Sequence, residues 1–280
     1  KPELAEAELR AVVQDWWRGQ IVPAMAAGAD ALPRDQMLAL FEILHAIRDN
    51  LNLDLRDPLQ GYFRDLPYSL LLSYYPGAYS TAENQYRIPA GGPTRPDPRS
   101  AVLARAGDLC LVAFDSNTQG SQFLQGMLTP DAFLMRGALG IPYEFLWANP
   151  YLPGLSYHHA PPFFHDQRLG RLYVRSDWSD EATWLCYRDG SLQLFDRNGL
   201  KVARAQPAAA PLRLGRVAVW VTQGAGTYRL LGGDLDKVFL AGLRPGGTYE
   251  LKAGEEKAYM ETADPGGIIG IAAPEQSEIH

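Results

Sequence analysis

The feature that most constrains this chain is a change of hydrophobic period. Up to residue 150 apolar residues recur at helical spacing, and beyond residue 170 they alternate in short runs between turn signals. One stretch must therefore bury a helical stripe and the other one face of a strand. The expected class is α+β. Its parts are a helical domain over residues 1–150, a Pro/aromatic/His-rich crossing over 151–169, and an antiparallel β-sandwich over 170–280.

In the first part, residues 3–22 place Leu9, Val12, Val13, Trp16, Trp17 and Ile21 on one broad face. Residues 35–49 repeat the pattern with Met37, Leu40, Phe41, Leu44 and Ile47. A third apolar segment begins at Pro67 and stops at Pro76-Gly77; the proline-rich stretch 76–98 reads as an irregular connection. Helical spacing resumes over 100–114. Thr129-Pro130-Asp131 predicts a helix start with Thr129 as N-cap, and Gly140 predicts its stop.

Past residue 168 the runs 172–174, 183–187, 191–195 and 200–205 are separated by Asp189-Gly190 and Arg197-Asn198-Gly199, both strong hairpin signals. Runs at 216–222, 227–231, 238–241, 248–251, 258–262 and 268–272 follow. Strands at this spacing predict a sandwich.

The net charge of −6 argues against a nucleic-acid partner, which demands a concentrated Lys/Arg surface. No apolar run reaches the roughly 18 residues of a membrane span. The chain begins Lys1-Pro2-Glu3 without an initiator Met, so either a leader has been removed or an N-terminal portion or partner chain is missing. Cys110 and Cys186 are expected to be buried free thiols, with a bridge as the alternative.

Two segments carry candidate chemistry. Residues 146–166 hold His158, His159 and His165 together with Tyr151 and Tyr157. Imidazole titrates near neutral pH and an activated phenol acts as acid or base, so Tyr157, His158 and His165 are the candidate catalytic residues, with His159 beside them as a ligand contact. Pro161-Pro162 predicts an extended chain, on which adjacent His158 and His159 point opposite ways, a poor arrangement for a metal. The other reading is a rigid, packed connector. The second segment contains Arg175, Trp178, Trp184 and Arg188. Rings beside arginines suit a sugar, stacked on its C–H face and bonded at its hydroxyls or carboxylate, whereas the alternative is that both tryptophans fill the core. No phosphate loop, nucleophile elbow, HExxH helix or paired CxxC is present, so no cofactor is implied.

A helical block followed by RLYVRSDWSDEATWLCYRDG over residues 171–190 resembles the heparinase II/III-like polysaccharide lyases. The resemblance implies a partial α/α toroid joined to a β-sandwich in a bacterial, extracytoplasmic protein. It also implies β-elimination at a uronic acid of a polysaccharide or oligosaccharide, with Tyr and His as base and acid. The text around 240–249 and 262–267 is similar to the Ig-like modules of carbohydrate-active proteins. Residues 183–195 contain no histidine, unlike that family, so none of its catalytic residues transfers by position. The expected function is a carbohydrate-active, lyase-like protein; the alternative is a non-catalytic sugar-binding or assembly module.

Overall fold

The computed structural model has the expected α+β class: helices through Trp147 and, apart from one short early pair, strands from Phe163 onward. It describes residues 2–77, 79–80, 85–86, 89–90, 98–129, 140–222, 224, 228–229, 234–252, 257–273 and 278–279. Most of the connection expected at 76–98 and the helix start at Pro130-Asp131 lie outside these residues, as does part of the run 227–231. The chain divides into two units, Lys1–Leu71 with Thr94–Tyr157, and Leu72–Pro93 with His158–His280.

In the first unit α1 (Pro2–Arg10) continues through a π-helical stretch, Ala11–Ile21, into α2 (Val22–Ala26). The apolar face closes on Val13 and Trp17, whose indole N–H donates to the Leu55 carbonyl at 2.8 Å. Helix α3 (Met37–Leu51) buries the residues its spacing predicts, and Asn52, in the left-handed region at φ 53°, ends it. Helix α4 (Gln60–Ser73) starts ahead of Pro67, because Tyr62, Phe63, Leu66 and Leu70 form one buried stripe and the proline ring is held within it. Helix α5 (Pro98–Phe114) lies close on α3 at Gly107, where a Cβ would stand 3.0 Å from the Leu38 nitrogen. Helix α6 (Gln119–Leu128) is capped by Thr118 at its start and by Thr129 at its end. Gly140, expected as a stop, instead begins α7 (Gly140–Trp147), whose Pro142 falls in the first turn where its missing N–H costs nothing. Among the described residues no helix is long and apolar enough to cross a membrane.

The second unit contains two main sheets, besides a short pair of β1 (Tyr79–Ser80) with β2 (Gln85–Tyr86) and another of β10 (Tyr228–Arg229) with β15 (Glu278–Ile279). The first is an antiparallel meander of β3 (Phe163–Asp166), β4 (Arg171–Arg175), β5 (Trp184–Arg188), β6 (Ser191–Asp196) and β7 (Gly199–Arg204). Asp189 and Gly190 both take positive φ, 51° and 69°, as a two-residue hairpin turn demands. The second sheet has the order β14-β11-β9-β8, from β8 (Leu212–Leu214), β9 (Val217–Val221), β11 (Lys237–Ala241) and β14 (Ile268–Ala272). Its β9 and β11 run parallel, a departure from the antiparallel expectation, because the chain crosses back between them before pairing again.

Leu172, Val174, Leu185 and Tyr187 of the first sheet meet Val217, Val219, Phe239, Ala241 and Ile268 of the second in one core. The alternate residues of the second sheet, Ala218, Trp220, Val238, Leu240, Ile269 and Ile271, form another core with Leu251 and Ala263. These last two flank or belong to a hairpin of β12 (Thr248–Leu251) and β13 (Tyr259–Thr262). On the far face of the first sheet, Tyr75 stacks on Phe195 and meets Trp184 edge-on, and the Trp184 indole donates to the Leu72 carbonyl. This packing is why residues from Leu72 group with the strands.

Cys110 and Cys186 are free and buried, as expected. Burial pushes both thiols up from about 9 to about 12. The folded state therefore favours the protonated thiol, and the associated stability, complete below pH 9, declines as pH rises toward 12. Native protein is expected to leave both thiols unlabelled by a thiol reagent at about pH 8, with two equivalents reacting in denaturant. A second expectation concerns Gly170, at φ 59°, where a Cβ would overlap the Gly266 backbone. Gly170→Ala should cost about 2 kcal/mol or more, read from urea unfolding midpoints.

Candidate functional site

The residues expected to carry chemistry separate once folded. Tyr157, His158 and His159 form a short 3₁₀ turn instead of an extended segment, since a proline restricts only the residue immediately before it, here Ala160. Tyr157 is half-buried and belongs to the first unit; His158 and His159 are exposed and belong to the second. His165, on β3, is half-buried, with its Nε2 2.7 Å from Asp264 Oδ2 and its ring edge-on to Phe239. Asp264 is fully engaged, because its Oδ1 also accepts the Gly266 and Ile268 N–H groups at 2.9 and 2.8 Å. The pair ties the edge strand of the first sheet to the turn that precedes β14. Among the described residues no three His, Cys, Asp or Glu side chains converge as a metal site.

Arg175 and Trp178, expected to hold a sugar, are 1% and 6% exposed. The Arg175 guanidinium lies 4.3 Å from the Trp178 ring centre, and the indole N–H donates 2.8 Å to the Ala160 carbonyl. Arg175 also donates to the Asp177 carbonyl, and hydrogen bonds from Ser179 hold the Asp177 carboxyl below its ordinary range. With one ring face covered by the guanidinium and the rest packed, Trp178 is no open platform; the alternative reading, that both tryptophans fill the core, describes it and the fully buried Trp184. Arg188 remains at the surface, its Nε donating 3.1 Å to Asp189.

The concavity that sequence reasoning missed lies at one end of the sandwich. A bowl of about 520 Å³ opens between the Asp189-Gly190 turn, the end of β7, the end of β9 and the turns at 242–245 and 265–266. Tyr187 lines it from the core side. Burial pushes the Tyr187 phenol up, opposed by a hydrogen bond from the Gly242 backbone and reinforced by the charges of Asp264 and Asp189, so it stands in the bowl as a protonated hydroxyl. Arg204 and Gln206 flank Ala205 at the rim, both exposed, and neither has an ion-pair or hydrogen-bond partner among the described residues. Pro207, Leu243, Pro245 and Pro265 supply apolar wall. Five turns and strand ends far apart in sequence build this site. The available signal was the spacing of the turns, since alternate connections of an up-and-down sheet fall at the same end.

Comparison with family models, with curated proteins and with solved structures returns no match.

The His165–Asp264 pair orients the wall that Pro265 and Gly266 give to the bowl. Asp264→Ala should cost about 3 kcal/mol or more, because it strands the imidazole and two backbone N–H groups. His165→Phe, which keeps the contact with Phe239 and leaves Asp264 its backbone donors, should cost distinctly less. Guanidinium unfolding midpoints of the two variants would check the order.

Proposed function

We propose that the protein recognises carbohydrate through its sandwich unit, binding an acidic sugar in the bowl without cleaving it. The observation that carries this reading is the rim: Arg204, a guanidinium with no ion-pair partner among the described residues, shares with Gln206 and Asp189 the lining of a bowl of about 520 Å³ whose core side is the buried Tyr187. A guanidinium meets a carboxylate through two parallel N–H donors, and amide, carboxylate and hydroxyl groups suit ring hydroxyls. Volumes of about 300–1,000 Å³ are those of small-ligand pockets. The prolines offer apolar surface to the C–H faces of a ring. The β-elimination that the lyase resemblance implies would fall to Tyr157, His158 and His165, and the engagement of His165 by Asp264 favours binding over that chemistry.

Calorimetric titration with glucuronate and galacturonate oligomers, set against neutral gluco-oligomers of equal length, tests the reading. Uronates are expected to bind, and Arg204→Gln to weaken them about tenfold, or about 1.4 kcal/mol. Ultraviolet absorbance followed in the same mixtures should stay flat. Binding that ignores the carboxylate, or that survives Arg204→Gln unchanged, defeats the proposal; rising absorbance restores the lyase reading.

A further inference from the structure

Helix α7 is held down on one side and bare on the other. Its Glu144 is clasped by Arg105 of α5, whose Nε and one terminal nitrogen each lie 3.2 Å from a carboxylate oxygen. Arg105 is itself buried and also donates 2.8 Å to the Leu128 carbonyl, so the clasp is anchored in the helical unit. Three residues on, Trp147 stacks on His45 of α3, ring centres 5.1 Å apart. Residues three apart share one side of a helix, so these two contacts fix the rotation of α7. Phe145 and Leu146 fall between them and turn outward, 86% and 64% exposed. The segment that follows continues the pattern, with Tyr151 93% and Leu155 39% exposed. The backbone of Leu155 is pinned to α6: its N–H donates 2.9 Å to the Gln122 carbonyl, and its own carbonyl lies where a Cβ on Gly126 would fall. Residues 141–157 hold one charged side chain, Glu144, in a chain that is 21% charged. The four side chains leave roughly 500 Å² of apolar surface in water, toward the upper end of the largest patches found on monomers.

We propose that this face is the contact between two copies of the chain, paired about a two-fold axis. A two-fold contact sets one surface against itself, so like charges on it are brought together. The chain carries −6. This strip, whose single carboxylate is already engaged by Arg105, lets two acidic chains approach without opposing charges. Roughly 500 Å² on each copy makes about 1,000 Å² in all, the least that a specific interface needs. The exposed Pro142, Pro150 and Pro153 beside it bring the contact toward the ordinary range. Phenylalanine and tyrosine are enriched in such contacts, and a helix already fixed in rotation loses little freedom on pairing. A membrane surface is disfavoured, because an interfacial helix carries lysine and arginine on its polar side and this segment has neither. A basic partner would be met by acidic surface, not by an uncharged strip.

Sedimentation velocity of the full chain over a concentration series is the test. A species of twice 30.9 kDa is expected, with a dissociation constant in the micromolar range that added salt does not weaken. The double variant Phe145→Glu, Tyr151→Glu should weaken the dimer about 100-fold or more. Its circular dichroism, taken at a dilution where the wild type is monomeric, should match the wild type, since both side chains stand in water there. The uncharged pair Phe145→Ser, Tyr151→Ser should weaken the dimer as well, which separates lost contact from added repulsion. A wild-type chain that stays at 30.9 kDa at millimolar concentration, or a dimer that both double variants leave intact, overturns the proposal. Flotation of a monomeric chain with phosphatidylcholine vesicles, abolished by Phe145→Glu, makes a membrane the occupant and overturns the choice of a second copy.

Discussion

A strand with no exposed residue governs the second unit. All of Val217–Val221 on β9 is buried, at 5% exposure or less, and its parallel neighbour β11 is nearly so. A strand burying both faces requires a layer on each side. The five-stranded meander supplies one layer and the β12–β13 hairpin the other. Val219 and Trp220, adjacent in sequence, therefore serve separate cores. The turns at the bowl sit where they do because these layers fix the strand ends. Polar side chains fall to the outside of the stack, as on β13, whose residues are all exposed, although Arg175, Trp184 and Cys186 on the far face of the meander are buried.

The elements that were legible in the sequence are those whose signal is local. The hairpins at Asp189-Gly190 and Arg197-Asn198-Gly199 are there because Asp189, Gly190 and Gly199 meet their positive φ angles at little strain. The stripe Met37, Leu40, Phe41, Leu44 and Ile47 buries as written. Elements that failed to show are short or lie in mixed signals. Strand β3 is four residues behind two prolines, and β8 is three residues in a stretch of alanine and proline. Gly140 carries the residue type of a helix end, but its type does not say which end is meant.

The site was less legible than the fold, for a different reason. Aromatic rings next to arginine are the composition of a sugar platform and equally of a core that has buried a guanidinium, and sequence alone does not separate the two. Exposure does: Arg175 and Trp178 are inside, Arg188 and Arg204 outside. The bowl was invisible because Tyr187, Arg204, Thr222, Gly242 and Pro265 are neighbours only after the sheets have packed.

The contact between His165 and Asp264 joins residues 99 apart in sequence. Strands β3 to β7 pair in consecutive hairpins, each closing a short loop, whereas this contact closes a long one and repays its entropy only when the second sheet is in place. The order of assembly follows. The meander can form early from near neighbours, with its arginines already in register. The wall contributed by Pro265 and Gly266 waits for the last strands. A nascent or partly unfolded chain would thus possess the meander before it possesses the bowl, and only the finished molecule would have that concavity closed on every side.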